Sequence, residues 1–231
     1  DALALAQKLG YAERNPAADI EGADACRKIC ILASLAFGKH VYPEQVHTQG
    51  ITKITLEDVA YAAAWGGVIK LIGQVKKLDN GKVEIVVAPM FISHESQLSS
   101  VDDVFNGILV RGDATGDVVF YGKGAGKLAT ASAVVADMLD SIEHKDNRRR
   151  IFWGDGSKHL LRPLDTLQSA WYVRFKGAQK DVEELLPVES LTEPAEDVFV
   201  VQTRKLSTAE MNAAAEKLNA RGEVRAAMRI L

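Results

Sequence analysis

Cysteine is scarce in this sequence, and long apolar runs are missing. Its two cysteines, Cys26 and Cys30, lie four residues apart on a predicted helix, where their side chains diverge along the axis and do not favour a disulfide. We interpret them as small core residues, and the low cysteine usage as typical of a reducing, cytoplasmic location. No apolar run approaches the roughly 20 residues that a membrane-spanning helix needs, so no membrane partner is expected.

An excess of one charge is also missing. The 28 basic and 31 acidic residues give a formal net charge of -3, which offers no electrostatic footprint for nucleic acid. The one basic run, Lys145–Arg150, follows a predicted helix and is interpreted as a solvated loop. The histidines show no metal-ligand spacing and the serines no nucleophile elbow, so neither a metal site nor a serine hydrolase is predicted.

What is present indicates an ordinary globular protein. The hydrophobic fraction is 47% and the charged fraction 26%, which allows a sizeable core. Domain sizes favour one domain of about 150 residues followed by a smaller one. The chain opens in DALALAQKLG without a methionine, which we interpret as the interior of a helix, so we expect it to be part of a longer protein.

Two helices are predicted in the first 65 residues. The first covers Ala23–Phe37 and ends at Gly38. After a possible strand at Ile51–Ile54, the spacing of Thr55 to Asp58 is that of a capping box, which predicts a helix running to Trp65.

Two hairpins follow, since β-branched runs flank turn sequences such as Asp79-Asn80-Gly81. Their alternation predicts half-buried antiparallel strands. The predicted elements from 68 to 142 are strands at 68–75 and 83–89, an amphipathic helix at 93–105, strands at 108–110 and 118–121, and an apolar helix at 129–142.

A charged, irregular connection at 145–165 places a domain boundary near 160. Beyond it the pattern predicts strands and helices in alternation. These are a strand at 170–175, a helix at 181–186, a strand at 197–204, a helix at 208–221 and a strand at 224–230.

Charged residues interrupt the first clear helix. Apolar side chains cover almost its whole circumference, so we expect it to be largely buried, with Asp24 and Lys28 pointing inward on the stripe of Ile31 and Leu35. A partly desolvated lysine has a lowered pKa and neighbouring carboxylates raise it, which suits acid/base catalysis; Glu13, in a nearby loop, adds another carboxylate. The alternative is a surface salt bridge between residues i and i+4.

A glycine-rich turn, Gly122–Lys127, follows a predicted strand and precedes a helix. Such a turn exposes backbone N–H groups at a positive helix end, which suits a cofactor phosphate. Its spacing is neither that of a Walker loop nor that of a Rossmann fingerprint. The alternative is a tight turn that packs the helix closely on the strand.

Two segments resemble homoserine dehydrogenases. Gly10-Tyr11-Ala12-Glu13, Pro16, Asp19-Ile20-Glu21-Gly22, Asp24 and Arg27-Lys28 resemble the start of that family's catalytic domain. The glycine-rich turn followed by Thr130-Ala131-Ser132-Ala133-Val134-Val135-Ala136-Asp137 resembles its return to the cofactor, with Ala129 where the family generally has proline.

The resemblance implies NADP- or NAD-dependent interconversion of L-homoserine and L-aspartate 4-semialdehyde by a homodimer. It implies that Lys28 relays a proton at the substrate oxygen, and that Glu13, Asp19 and Asp24 hold the substrate amino group. Gly10 would lie beside the cofactor, together with Gly124 and Gly126. Family members carry a second active-site lysine in a nucleotide-binding half, and this sequence contains no strand followed by G-x-G-x-x-G, so we expect the chain alone to be inactive.

The order of the C-terminal elements resembles an ACT-type amino-acid-binding domain, which implies control by an end product such as L-threonine. Gly177-Ala178-Gln179-Lys180 replaces the Asp-x-Pro-Gly turn that normally contributes to effector binding. The predicted fold is therefore α+β: a mixed or antiparallel sheet with packed helices at 1–157, then a small ferredoxin-like βαββαβ domain at 166–231. Two alternatives are a non-catalytic amino-acid-binding regulator and a dehydrogenase of another amino acid semialdehyde.

Overall fold

The computed structural model describes residues 2–10, 14–146, 152–156 and 159–231. The helices are α1 (Ala2–Lys8), α2 (Ala17–Ile20), α3 (Ala23–Phe37), α4 (Leu56–Ala64), α5 (Lys127–Glu143), α6 (Gln179–Leu185) and α7 (Thr208–Asn219). The strands are β1 (Gly67–Lys77), β2 (Val83–Ser93), β3 (Phe105–Gly112), β4 (Gly116–Lys123), β5 (Gln168–Lys176), β6 (Val188–Ala195), β7 (Val198–Thr203), β8 (Leu206–Ser207) and β9 (Glu223–Ile230).

The chain forms two compact units. The first unit comprises residues 1–16 and 94–152, and the second unit comprises residues 17–93 and 153–231. Helices and strands occur in both, which confirms the predicted α+β class. The domain boundaries at 157 and 166 stay a prediction.

A mixed sheet organises the second unit. Its strands lie in the order β1-β2-β9-β5-β7-β6, with β8 pairing β5. Neighbours run antiparallel except β2 and β9, which are parallel and share only the pairs Met90↔Arg229 and Phe91↔Ile230. This short parallel seam joins the β1–β2 hairpin to the C-terminal strands.

Strand β2 is buried on both faces along most of its length. On one face Val83, Ile85 and Val87 pack with Cys26 and Cys30 of α3. On the other, Val86, Ala88 and Met90 pack with Leu167. The expectation of a half-buried strand was therefore wrong for β2, because layers cover both sides of it.

The two cysteines are free and buried, as predicted for core residues. Burial, with Cys26 as its neighbour, raises the pKa of the Cys30 thiol to about 12. That thiol is therefore protonated at neutral pH and unsuited to metal binding or exchange.

The C-terminal residues form the element order β5-α6-β6-β7-β8-α7-β9, and their strands lie in the order β9-β5-β7-β6, with the two-residue strand β8 pairing β5. The prediction missed the short strand β8 and also β6, which occupies a sheet edge and contains Pro194. Edge strands tolerate proline and polar side chains, so their sequences show no apolar alternation. The core of this part packs Trp171, Val173 and Phe175 against α6 and α7.

The first unit contains the β3–β4 hairpin and helix α5, both confirmed close to their predicted bounds. The helix expected at 93–105 was wrong, since only a 3₁₀ turn forms at Gln97–Ser100. Serines explain the difference: Ser96 Oγ accepts from the Leu98 N–H, and Ser99 Oγ donates to the Ser96 carbonyl. Such local bonds compete with a helix.

The strand expected at Ile51–Ile54 was also wrong. These residues form a turn in which the Ile54 N–H donates to the Ile51 carbonyl at 3.0 Å. The capping box that follows is confirmed, because Thr55 Oγ1 accepts a hydrogen bond from the Asp58 N–H and the Asp58 carboxylate accepts one from the Thr55 N–H.

A second capping box begins α7 and leads to a stability prediction. Ser207 Oγ accepts the Glu210 N–H, and the Glu210 carboxylate accepts from the Ser207 N–H and hydroxyl. We expect Ser207→Ala to lower the free energy of unfolding by about 1 kcal/mol near neutral pH. Urea denaturation measures the change, with the exposed Ser190→Ala as the control.

This deficit should depend on pH. The hydrogen bonds from Ser207 hold the pKa of Glu210 below its usual range. A carboxyl with a lowered folded-state pKa stabilises the fold above its unfolded pKa, and that contribution is lost as the pH falls through the folded value. The loss of unfolding free energy caused by Ser207→Ala should therefore be smaller in acid than near neutral pH. An equal loss in acid and near neutral pH would contradict the hydrogen bonds from Ser207 to the Glu210 carboxylate.

Candidate functional site

A tight backbone contact fixes the entry to α3. The Ile51 N–H donates to the Ile20 carbonyl at 2.8 Å, and a Cβ at Gly50 would lie 2.1 Å from that oxygen. Gly22 then adopts a left-handed conformation, with φ of 83°, where the helix begins. Glycines at 22 and 50 thus set the direction in which α3 leaves α2.

The Asp24 and Lys28 side chains form the predicted pair on α3. Lys28 Nζ lies 2.7 Å from Asp24 Oδ2, with the side chains 60% and 41% exposed, respectively. The expectation that they point inward was wrong. They lie on an exposed stripe with Ile31 and Leu35, which are 54% and 46% exposed.

The burial of α3 explains this correction. Its buried residues, Cys26, Cys30, Ala33 and Ser34, form a single stripe against the sheet. The helix is therefore covered on one side, where Ala25, Ile29 and Phe37 also pack against the core, while Ile31 and Leu35 lie on the exposed side with the ion pair. The Lys28 ammonium is accessible to solvent on that side, and its 2.7 Å contact with Asp24 limits the positions that it can adopt.

The other predicted substrate residues are placed less completely. Asp19 is exposed on α2, two residues before the turn that leads into α3. Glu13, like Tyr11 and Ala12, lies outside the described residues.

The first unit holds a cavity of about 520 Å³ that brings two predicted cofactor-side glycines together. Gly10 follows α1 with φ of 76°, and Gly126 precedes α5 with φ of 110°. Both line the cavity, and so do the neighbours of Gly124 on either side, Lys123 and Ala125. A Cβ at Gly124 would lie 1.8 Å from Asn106 Nδ2, so a larger residue there would displace the Asn106 side chain.

The cavity is lined by positive charge. Lys8, Lys123 and Lys127 contribute to its wall, and its lining includes no acidic residue among those that the structure describes. The first residues of α5 also line it, and no described side chain caps that helix end. Free N–H groups and the helix dipole attract anions, so the chemistry of this cavity fits a phosphate group.

Sequence reasoning did not single out these lysines. The signal that could have found them is local: Lys8 stands two residues before Gly10, and Lys123 and Lys127 belong to the glycine-rich turn itself. The fold also separates the candidates into two groups. Gly10, Gly124 and Gly126 belong to the first unit, and Asp19, Asp24 and Lys28 belong to the second.

Within the described ranges, no group of three or more His, Cys, Asp or Glu side chains is arranged to hold a metal ion. No helix in the same ranges has the length and apolar character needed to cross a membrane.

Comparison with known proteins gives a consistent result. The family model described as homoserine dehydrogenase matches residues 1–139. The homoserine dehydrogenase of Pseudomonas aeruginosa is 41% identical over 184 residues, covering 77% of this chain and 42% of that protein. The chain thus spans less than half the length of this relative.

Solved structures extend the likeness to the fold. The homoserine dehydrogenase of Thiobacillus denitrificans superposes with a TM-score of 0.88 at 32% identity, over 100% of this chain and 58% of that one. A hyperthermophilic archaeal homoserine dehydrogenase mutant in complex with NADPH gives a TM-score of 0.50 at 32% identity, over 64% of this chain and 41% of that one.

Proposed function

The chain belongs to the homoserine dehydrogenase family, and on that premise we propose that it supplies the substrate-binding and proton-transfer part of an NAD(P)-dependent enzyme. The enzyme interconverts L-homoserine and L-aspartate 4-semialdehyde. The observation that carries this proposal is the exposed Asp24–Lys28 pair within the region that matches the family model. A dehydrogenase of another semialdehyde and a purely regulatory protein are not favoured by this match.

Lys28 acts on the oxygen at C4 of the substrate. The nicotinamide cofactor, when bound, supplies or accepts the hydride. As an aldehyde is reduced, negative charge develops on its oxygen, and an ammonium can stabilise that charge and donate the proton. The 2.7 Å contact with Asp24 restricts the lysine before substrate binds.

Carboxylates hold the substrate amino group. Asp19 and Asp24 are exposed or partly exposed near the start of α3, and Glu13 belongs to the same motif in the sequence. A substrate ammonium pairs with such carboxylates through charge-assisted hydrogen bonds. Asp24 then serves two cations, Lys28 and the substrate.

The lysine-lined cavity of the first unit holds an anionic part of NADP or NAD. Gly10 and Gly126 let the backbone approach the ligand closely, and Gly124 holds the turn against Asn106. The archaeal relative in complex with NADPH supports a nicotinamide dinucleotide as the ligand class. The positive charge of the cavity suits either dinucleotide.

The C-terminal βαββαβ segment acts as an ACT-like regulatory domain within 166–231, with 1–157 as the catalytic domain, and L-threonine is its proposed effector. Its element order supports this assignment.

Homodimers form through the catalytic domain, where Val110 and Phe120 of the β3–β4 hairpin are 48% and 62% exposed. A cytoplasmic location fits the free, buried cysteines.

The test uses a chimera in which the nucleotide-binding domain of the Pseudomonas aeruginosa relative precedes Asp1. We expect the chimera to reduce NAD or NADP when L-homoserine is added, and the 231-residue chain alone to be inactive. Binding of NADPH to the chimera, measured by fluorescence, establishes that the added domain is folded. A chimera that binds NADPH without turning over homoserine would contradict the proposed function, whereas turnover by the chain alone would contradict the need for a separate nucleotide-binding domain.

A further inference from the structure

A second, smaller cavity lies in the second unit, beside the parallel seam between β2 and β9. Its volume is about 130 Å³, room for about four water molecules. Its polar lining residues are Gln74, Lys76, Glu84, Gln168, Ser169 and Arg229. They come from the β1–β2 hairpin and from β5 and β9, so the cavity combines the hairpin with strands that follow much later in the chain.

Arg229 is the unusual member of this lining. It is only 5% exposed, and its guanidinium donates to Ser169 Oγ at 2.8 Å and to Thr208 Oγ1 at 2.6 Å. It also lies 4.6 Å from the centre of the Trp171 ring. No carboxylate of the described residues forms an ion pair with it. A buried charge that forms no direct ion pair is costly, even when hydroxyl groups and a ring solvate it in part.

The other charges around the cavity leave it positive. Glu84 lines it, but its carboxylate is held by Arg162 at 2.6 Å. Lys76 adds a second cation to the lining. Burial lowers the pKa of Arg229, while Glu84 opposes that shift. Arg229 and Lys76 are both positive and the Glu84 carboxylate is already paired, so the cavity favours an added negative charge.

We propose that this cavity, here termed the Arg229 cavity, is a binding site for a small oxyanion, a carboxylate or phosphate group. The guanidinium has five N–H donors, Ser169 and Thr208 accept two of them, and Arg229 lines the cavity. Ser169 accepts from Arg229, which leaves its own hydroxyl hydrogen free to donate. A planar fork of donors beside a hydroxyl is well matched to two oxygens of one anion.

An anion bound in the Arg229 cavity would affect the pairing of β2 with β9. Arg229 is one of the two β9 residues paired with β2, so an anion that neutralises it stabilises the connection between the hairpin and the βαββαβ segment. The site is argued from residues of the second unit and does not depend on the proposed dehydrogenase function.

The experiment is an NMR titration of the ¹⁵N-labelled chain that follows the Arg229 Nε–H signal. Sodium phosphate and sodium acetate are the probes, and sodium chloride at matched ionic strength is the control. The signal is assigned by its loss in Arg229→Lys. Because that variant could fold poorly, Lys76→Gln is compared with Lys77→Gln, an adjacent exposed lysine that does not line the cavity.

We expect a saturable shift with phosphate or acetate, and about threefold weaker binding for Lys76→Gln, as for the loss of one exposed charge. Lys77→Gln should bind as the unchanged chain does. A response to phosphate alone assigns a phosphorylated ligand, and a response to acetate alone assigns a carboxylic acid. The proposal is overturned if neither probe shifts the signal, if chloride shifts it equally, or if the two lysine variants weaken binding alike.

Discussion

Lys28→Ala is expected to lower kcat of the chimera by about 100- to 10,000-fold, the range for loss of a general acid or base. Its stability should hardly change, because the Lys28 side chain is 60% exposed and its ion pair with Asp24 spans one helical turn. Such pairs contribute only about 0.5 kcal/mol. Steady-state homoserine oxidation and urea denaturation of the same preparation measure the two effects.

Two further variants sharpen this test. Lys53→Ala, another exposed lysine of the second unit, should retain kcat within about twofold, since surface substitutions away from special features have small effects. Lys28→Arg keeps the positive charge, but a guanidinium does not release its proton near neutral pH, so most of the activity should still be lost. Full activity of Lys28→Arg would leave Lys28 as a binding residue and not a proton donor.

Asp58→Ala is expected to lower the free energy of unfolding by about 3 to 5 kcal/mol, the cost of breaking a buried ion pair by removing one partner. Asp58 is fully buried and lies 2.9 Å from Arg174, whose side chain is 3% exposed. It also accepts from the Thr55 N–H at the start of α4 and from the Tyr172 hydroxyl. The change therefore leaves a buried guanidinium without its main counter-charge and removes a helix cap.

Glu57→Gln is the matched control, because Glu57 also pairs with Arg174 but is 60% exposed. Its effect should stay within about 1 kcal/mol, as for an exposed pair. The double variant Asp58→Leu with Arg174→Met should lose less than Asp58→Ala, since an apolar pair avoids the unpaired charge. Chemical denaturation compares these variants, and equal losses for Asp58→Ala and Glu57→Gln would show that burial of the pair does not matter.

The elements that the sequence predicted well are those with local signals. Thr55 and Asp58 mark the start of α4 within one turn, and Asp79-Asn80-Gly81 marks a hairpin whose strands are adjacent in the chain. Gly38 ends α3 with φ of 66°, a conformation that glycine adopts at little cost. In each case a few neighbouring residues determine the structure.

The elements that were predicted wrongly depend on contacts that periodicity does not contain. The apolar residues of α3 were correctly identified, but only one of its faces is covered, so Ile31 and Leu35 are exposed with Lys28. Helix α5 is apolar in the sequence, yet none of its residues is buried, and Met138 and Ile142 are 59% and 65% exposed. Which side of a helix meets the core is decided by the whole fold.

In the candidate site, too, some features follow from neighbouring residues and others depend on contacts between residues far apart in the chain. The pairing of Asp24 with Lys28 follows from their spacing on a helix. The meeting of Gly10 with Gly126 at one cavity does not, because the residues are far apart in the chain. Likewise, nothing around Arg229 in the sequence shows that it is buried beside Ser169 and Thr208 and forms no ion pair with a carboxylate of the described residues.

The seam between β2 and β9 has a consequence for the folding of the second unit. Closing the β1–β2 hairpin orders a short loop, whereas the pairs Met90↔Arg229 and Phe91↔Ile230 close a very long one. Loop-closure entropy therefore opposes the seam more strongly. Its two residue pairs and the bond from the Leu231 N–H to the Phe91 carbonyl act together with side-chain packing, such as that of Phe91 with Tyr172 and Met228. We therefore expect the hairpin and the C-terminal strands to form before the contacts at residues 229–231 join them.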